Sequence, residues 1–172
     1  MKPIALIPSK GIGDALLMMI LAYRIHKKGS KPVIIHEKMH ELKSWFPYAD
    51  FEKEYINSNR YEKIYIQNDN SSKILQFKKK RKNLSILYPT YNEKKHGPLH
   101  KNDYPFNSEK SMAENIKNIF GSSKKTGITP PVNLDYKKHT HRVIIHPGSS
   151  SNIKNWSRKK FLRLAEKLQK RG

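Results

Sequence analysis

A short apolar run, Ile4 to Ile7, leads directly into Pro8-Ser9-Lys10-Gly11-Ile12-Gly13-Asp14 and then into a helix-like segment from Ala15. Strand, glycine-bearing turn and helix start, in that order, form the ligand-binding corner of α/β folds. An apolar strand feeding an apolar helix needs a sheet with helices packed on it, so this stretch restricts the architecture strongly. The helix opens on a carboxylate, where a nucleotide cradle would carry a lysine or a third glycine. That choice points to a group that handles protons. From chemistry alone Asp14 has two readings: a favourable first-turn charge worth about 0.3–1 kcal/mol, or a proton acceptor.

The pattern then repeats along the chain. Met1 to Pro8 reads as a buried strand, and Asp14 to Lys28 as a helix ended by two lysines and a capping Gly29. Pro32 to His36 and Lys63 to Gln67 read as strands, with an amphipathic helix from Met39 to Phe46 between them. Asn70 to Lys82 is a weaker helix, and Leu84 to Tyr88 a further strand. Periodicity lapses in a polar loop from Thr90 to Asn107. It resumes as a helix from Ser108 to Phe120, with Met112, Ile116, Ile119 and Phe120 on one face. Gly121 to His141, with Pro130-Pro131, has linker composition. Arg142 to His146 reads as a strand and Ser157 to Arg171 as a helix. The class is therefore α/β with a mainly parallel sheet. A first domain is expected over residues 1–125 and a linker over 126–141, and the strand-turn-helix over 142–172 either docks on that first domain or opens a second one.

Charge narrows the partners. Thirty-five Lys and Arg against fourteen Asp and Glu give a formal charge of +21, which calls for an anionic partner: nucleic acid, a phospholipid surface or a phosphorylated substrate. With no cysteine, disulfides and thiolate metal sites are excluded. The longest apolar run, Ala15 to Ala22, is too short to span a bilayer. No signal-peptide cleavage pattern follows it, so the chain reads as cytoplasmic.

The second corner is His146-Pro147-Gly148-Ser149-Ser150-Ser151-Asn152-Ile153-Lys154-Asn155-Trp156-Ser157. Gly148 permits close backbone approach, the serines and amides can donate to a phosphate, and Lys154 supplies charge. The plainer alternative is a surface turn with Ser157 as N-cap and Trp156 stapled onto Phe161. Lys78-Lys79-Lys80-Arg81-Lys82 is a solvated basic face or a patch for anionic head groups, each cation near a membrane surface being worth about 1 kcal/mol. Trp45, Phe46 and Tyr48 are interfacial contacts or core. His36 and His40 straddle a strand end and do not suggest a metal pair, and Glu52 with Glu54 is a weak acidic doublet. No metal-binding acidic motif is apparent.

Gly13-Asp14-Ala15-Leu16-Leu17-Met18 resembles the Gly-Asp signature opening the first helix of the family 9 glycosyltransferases, which include the lipopolysaccharide heptosyltransferases. His146-Pro147-Gly148 with Lys154-Asn155-Trp156 resembles that family's second signature, and Ser111 to Gly121 the helix before its interdomain linker. Ser157 stands where the family commonly has proline. The resemblance implies a GT-B fold of two Rossmann-like domains, the second truncated here, and an inverting reaction that needs no metal. It implies Asp14 as general base, with Lys10, Gly11 and Gly13 on the acceptor-side loop. Ser149, Ser150 and Lys154 would bind the diphosphate of the donor, and ADP-heptose is the donor implied. The acceptor would be a lipopolysaccharide core or other phosphorylated glycolipid, reached at the cytoplasmic face of the inner membrane. No cofactor and no metal are implied. Two alternatives come from other classes: a small basic nucleic-acid-binding protein, for which no recognition motif is found, and a non-catalytic acceptor- or membrane-binding module.

Overall fold

The computed structural model describes residues 2–55, 57–69, 71, 76–78, 83–121, 124–129, 142–149 and 152–170. The chain divides into two compact units, Met1–Pro131 and Val132–Gly172.

The first unit is a parallel six-stranded sheet flanked by helices. Its strands are β1 (Ile4–Ile7), β2 (Pro32–Ile35), β3 (Asp50–Glu52), β4 (Lys63–Gln67), β5 (Leu84–Tyr88) and β6 (Tyr104–Pro105). The spatial order is β3-β2-β1-β4-β5-β6, with every neighbouring pair parallel. This is a Rossmann-like arrangement, and its order reverses between β1 and β4. Both faces are covered, so the strands read as continuous apolar runs without clean alternation. Ile4, Leu6, Ile34, Tyr65 and Leu87 face one core, and Ala5, Ile7, Val33, Ile35, Ile64 and Ile66 the other.

Helix α1 (Ile12–Lys27) covers the first face with Ala15, Met18, Met19, Leu21, Ala22 and Ile25. It ends in a Schellman motif: Gly29, at φ +84°, donates to His26 O, and Ser30 donates to Ile25 O. Helices α2 (Glu93–His96) and α3 (Met112–Phe120) follow. Ile116 is buried against α1, and Met112, Ile119 and Phe120 pack on the same core, as their spacing predicts. A capping box starts α3, with Glu114 N–H donating to Ser111 Oγ and Ser111 N–H to Glu114 Oε2.

Several elements differ from the sequence expectation. Residues 39–46 form a 3₁₀ segment over Met39–Trp45, and Phe46 is core: it is buried and packs edge-on against Tyr48. The expected loop from Thr90 to Asn107 contains α2 and β6, and β3 has no apolar pattern of its own. Both short strands exist because an inner strand offers unpaired backbone groups to bond. Of the helix expected at Asn70 to Lys82, only residues 71 and 76–78 are described, and 76–78 are helical. The start of the expected linker is not free. Tyr48 Oη donates to Thr126 O, Thr129 N–H donates to Trp45 O, and Gly127, at φ +62°, lies where a Cβ would collide with Tyr23.

In the second unit, helix α4 (Arg158–Gln169) forms as its periodicity predicts. The strand expected at Arg142 to His146 does not: residues 142–149 are irregular, and Ile144 is 93% exposed. A strand is held by neighbours, and the described residues of this unit include no other strand to pair with it. Trp156 does staple onto Phe161, with ring centroids 5.6 Å apart.

Candidate active site

Ligands of open α/β sheets bind outside the strand carboxyl ends where the order reverses. Here that point lies between β1 and β4, and the Pro8 to Asp14 turn occupies it. A cavity of about 400 Å³ is lined there by Ser9, Lys10, Gly11 and Asp14 from the β1–α1 turn. Gln67, Asn68 and Asp69 from the end of β4, Pro89 after β5 and Met112 of α3 complete it. A second cavity of about 610 Å³ lies over the ends of β1, β2 and β4, with Lys10, Lys38, Lys53, Glu37 and Asp69 in its wall. Lys10 and Asp69 belong to both.

Asp14 is the third residue of α1. Its carboxylate accepts a 2.8 Å hydrogen bond from Ser9 Oγ. A carboxylate in this turn occupies the positive end of the helix, the place where a bound phosphate would otherwise sit. The site therefore suits a neutral hydrogen-bond donor at that point better than an anion. The lysines of the adjoining cavity provide for negative charge a short way off.

The two glycines of the turn serve no evident folding purpose. Gly11 has an ordinary φ of −74°, and a Cβ there would make only van der Waals contacts. Gly13 lies in the first turn of α1, and a Cβ on it would meet nothing within 4 Å. A helical glycine is less stable than alanine by about 0.5–1 kcal/mol. Gly11 lines the cavity and keeps that part of its wall free of a side chain, whereas Gly13 is exposed and outside the cavity lining.

Other residues singled out in the sequence have structural employment. His36 is buried, and its Nδ1 accepts the Met39 N–H at 3.2 Å, which takes that nitrogen away from a metal. Glu52 is bound by Arg60 at 3.0 Å and by Tyr61 Oη at 2.9 Å, and burial together with Glu52 pushes Tyr61 up to about 12. Lys78 is half-buried, donates to His96 O at 3.3 Å and lies 5.2 Å from the Tyr88 ring centroid. Lys79, Lys80, Arg81 and Lys82 lie outside the described residues. Among the described residues no three His, Asp or Glu side chains cluster as metal ligands, and no helix is long and apolar enough to cross a membrane.

In the second unit Lys154 closes a 3₁₀ turn over Asn152–Lys154 and is exposed. Ser149 is described and Ser150 is not. The same unit has a mainly apolar groove of about 770 Å³, lined by Ile145, Pro147, Trp156, Phe161, Leu162 and others. Trp156 remains 57% exposed.

Sequence reasoning singled out Asp14 and its turn but missed the wall opposite. Gln67-Asn68-Asp69 is a polar run at a strand's carboxyl end, and only the adjacency of β4 to β1 makes it part of the site. Comparison with protein-family models, with curated proteins and with solved structures returns no match.

Proposed function

We propose that this protein is an inverting, metal-independent glycosyltransferase that moves a sugar from a nucleotide-diphosphate donor, ADP-heptose, to a lipopolysaccharide-core or related surface-glycan acceptor. The observation that carries the reading is the Asp14 carboxylate in the wall of the switch-point cavity, held by Ser9 beside Gly11. A sugar hydroxyl is a poor nucleophile. A positioned carboxylate takes its proton as the oxygen attacks the anomeric carbon, and the bond from that carbon to the diphosphate breaks. The leaving nucleoside diphosphate carries away the electron pair, and the proton rests on Asp14.

Asp14 would repel the diphosphate, so the leaving group needs its own anchor. In this reading the second unit begins a donor-binding Rossmann-like domain of a GT-B enzyme. Ser149, Ser150 and Lys154 bind the diphosphate there, through hydroxyls, amides and one cation. The acceptor loop is Lys10, Gly11 and Gly13, with Lys10, Lys38 and Lys53 available to acidic groups of the acceptor. The charge of +21 and the Lys78 to Lys82 run suit work at an anionic membrane face.

The test is Asp14→Asn, assayed as ADP release from ADP-heptose with a lipopolysaccharide-core acceptor. The amide keeps the size but not the basicity, so turnover falls about 10²–10⁴-fold while donor binding is nearly intact. Turnover within a few-fold of the parent would make Asp14 a helix-end charge only.

A further inference from the structure

The Ser9–Asp14 contact has a feature that the base chemistry alone does not require. Ser9 is 7% exposed and gives its single hydroxyl proton to Asp14 Oδ2. Its own amide points across the switch point to Gln67 Oε1 at a long 3.4 Å, and Gln67 is 2% exposed at the end of β4. The pair closes over Gly11: a Cβ there would sit 3.4 Å from Asp14 Oδ2 and 3.9 Å from Ser9 Oγ. Among the described residues Asp14 Oδ1 accepts no hydrogen bond.

An aspartate side chain near a helix start has several staggered χ1 wells open to it. Lys10 and Asp69 line the same cavity and are the charged groups that would draw or repel a free carboxylate. A hydroxyl donor fixed in the buried wall removes that freedom, and the conformational entropy is lost before substrate arrives.

We propose that Ser9 is a positioning residue: it locks the Asp14 carboxylate in one rotamer through Oδ2, leaving Oδ1 for a substrate hydroxyl, and Gln67 steadies the Ser9 backbone from β4. Its bearing on catalysis rests on the reading of Asp14 as base. The clamp itself rests only on geometry.

The test uses the isotopically labelled chain, with three-bond couplings reporting the Asp14 χ1 distribution. In the parent a single rotamer is expected. Ser9→Ala leaves the melting temperature nearly unchanged but averages Asp14 over rotamers, and Ser9→Thr, which keeps the donor, restores the single rotamer. Ser9→Gly serves if the alanine variant fails to fold. A single Asp14 rotamer in Ser9→Ala or Ser9→Gly, or the same averaging in Ser9→Thr as in Ser9→Ala, overturns the proposal. The two readings fail separately. If Ser9→Ala frees the rotamer while Asp14→Asn keeps its turnover, the clamp stands and the base assignment falls.

Discussion

Pro8 to Asp14 and His146 to Ser157 are written in the same local grammar: an apolar run, a turn of small residues, then an amphipathic or apolar helix. In the first unit the apolar run is β1, paired on both sides in the middle of a six-stranded sheet, and its helix is buried. In the second the run is irregular and exposed, and α4 has no fully buried residue. The helices formed in both places because helical hydrogen bonds are local. The strand formed in one place only, because its hydrogen bonds come from elsewhere in the chain. A ligand-binding corner is thus a property of the sheet around it, and the turn sequence alone does not make one.

If the corners differ this way, their cores should differ in what they contribute. Leu6→Ala, in the fully buried centre of β1, should cost about 2–5 kcal/mol. Leu164→Ala, half-buried on α4, should cost less than about 1 kcal/mol. The chain's two tryptophans, Trp45 and Trp156, lie one in each unit. Urea unfolding of single-tryptophan variants therefore reads the two effects separately. Equal losses would show that the second unit carries a core of its own.

The corners should also differ in what they bind. Lys154→Ala should weaken ADP-heptose binding about tenfold, the share of one charge-assisted contact, whereas Lys10→Ala on the first corner should leave it within about twofold. Calorimetric titration measures both. A reversed order would move the donor to the first unit and undo the assignment of roles.

A smaller effect sharpens the reading of the first corner. Gly13→Ala should raise stability by about 0.5–1 kcal/mol, since nothing in the fold meets the added methyl. In the reading that puts Gly13 on the acceptor-side loop the same methyl crowds the acceptor, so turnover should fall while the melting temperature rises. A stabilised variant with full turnover would show that the open space at Gly13 has no ligand in it.

The smallest expected effect compares the two helix starts. At α3, Glu114 is exposed, and its carboxyl is held down at about 2 by the Ser111 hydroxyl and amide and by Lys124. A carboxylate with a depressed pKa stabilises the fold above its unfolded value of about 4.3 and loses that contribution as pH falls toward the folded value. Glu114→Ala should therefore lower the melting temperature at pH 7, and the difference from the parent should close as pH falls from about 4.3 to about 2. At α4 the Ser157 side chain makes no capping bond. Ser157→Ala should leave the melting temperature unchanged, while Ser111→Ala lowers it.

What the sequence determined by itself was whatever depends on near neighbours. β4 and β5 fall where apolar runs are bounded by polar and turn residues, α1 is closed off at Gly29 just past its end, and α3 runs to Phe120 with the predicted face inward. Trp156 finds Phe161 because they lie five positions apart across one helix start. Asp14 stood out for the same reason, as a carboxylate at a position whose local physics favours anions. The tertiary structure decided what depends on distant partners. β3 and β6 are strands only because β2 and β5 lie beside them, and residues 142–146 are none because nothing described in their unit does. The candidate site is split along the same line: the Asp14 turn was legible, but Gln67, Asn68 and Asp69 reach it only through the adjacency of β1 and β4, whose paired residues are about sixty apart in sequence. Local hydrogen bonds and side-chain spacing are written residue by residue, whereas strand order is a global choice among pairings that no single segment encodes.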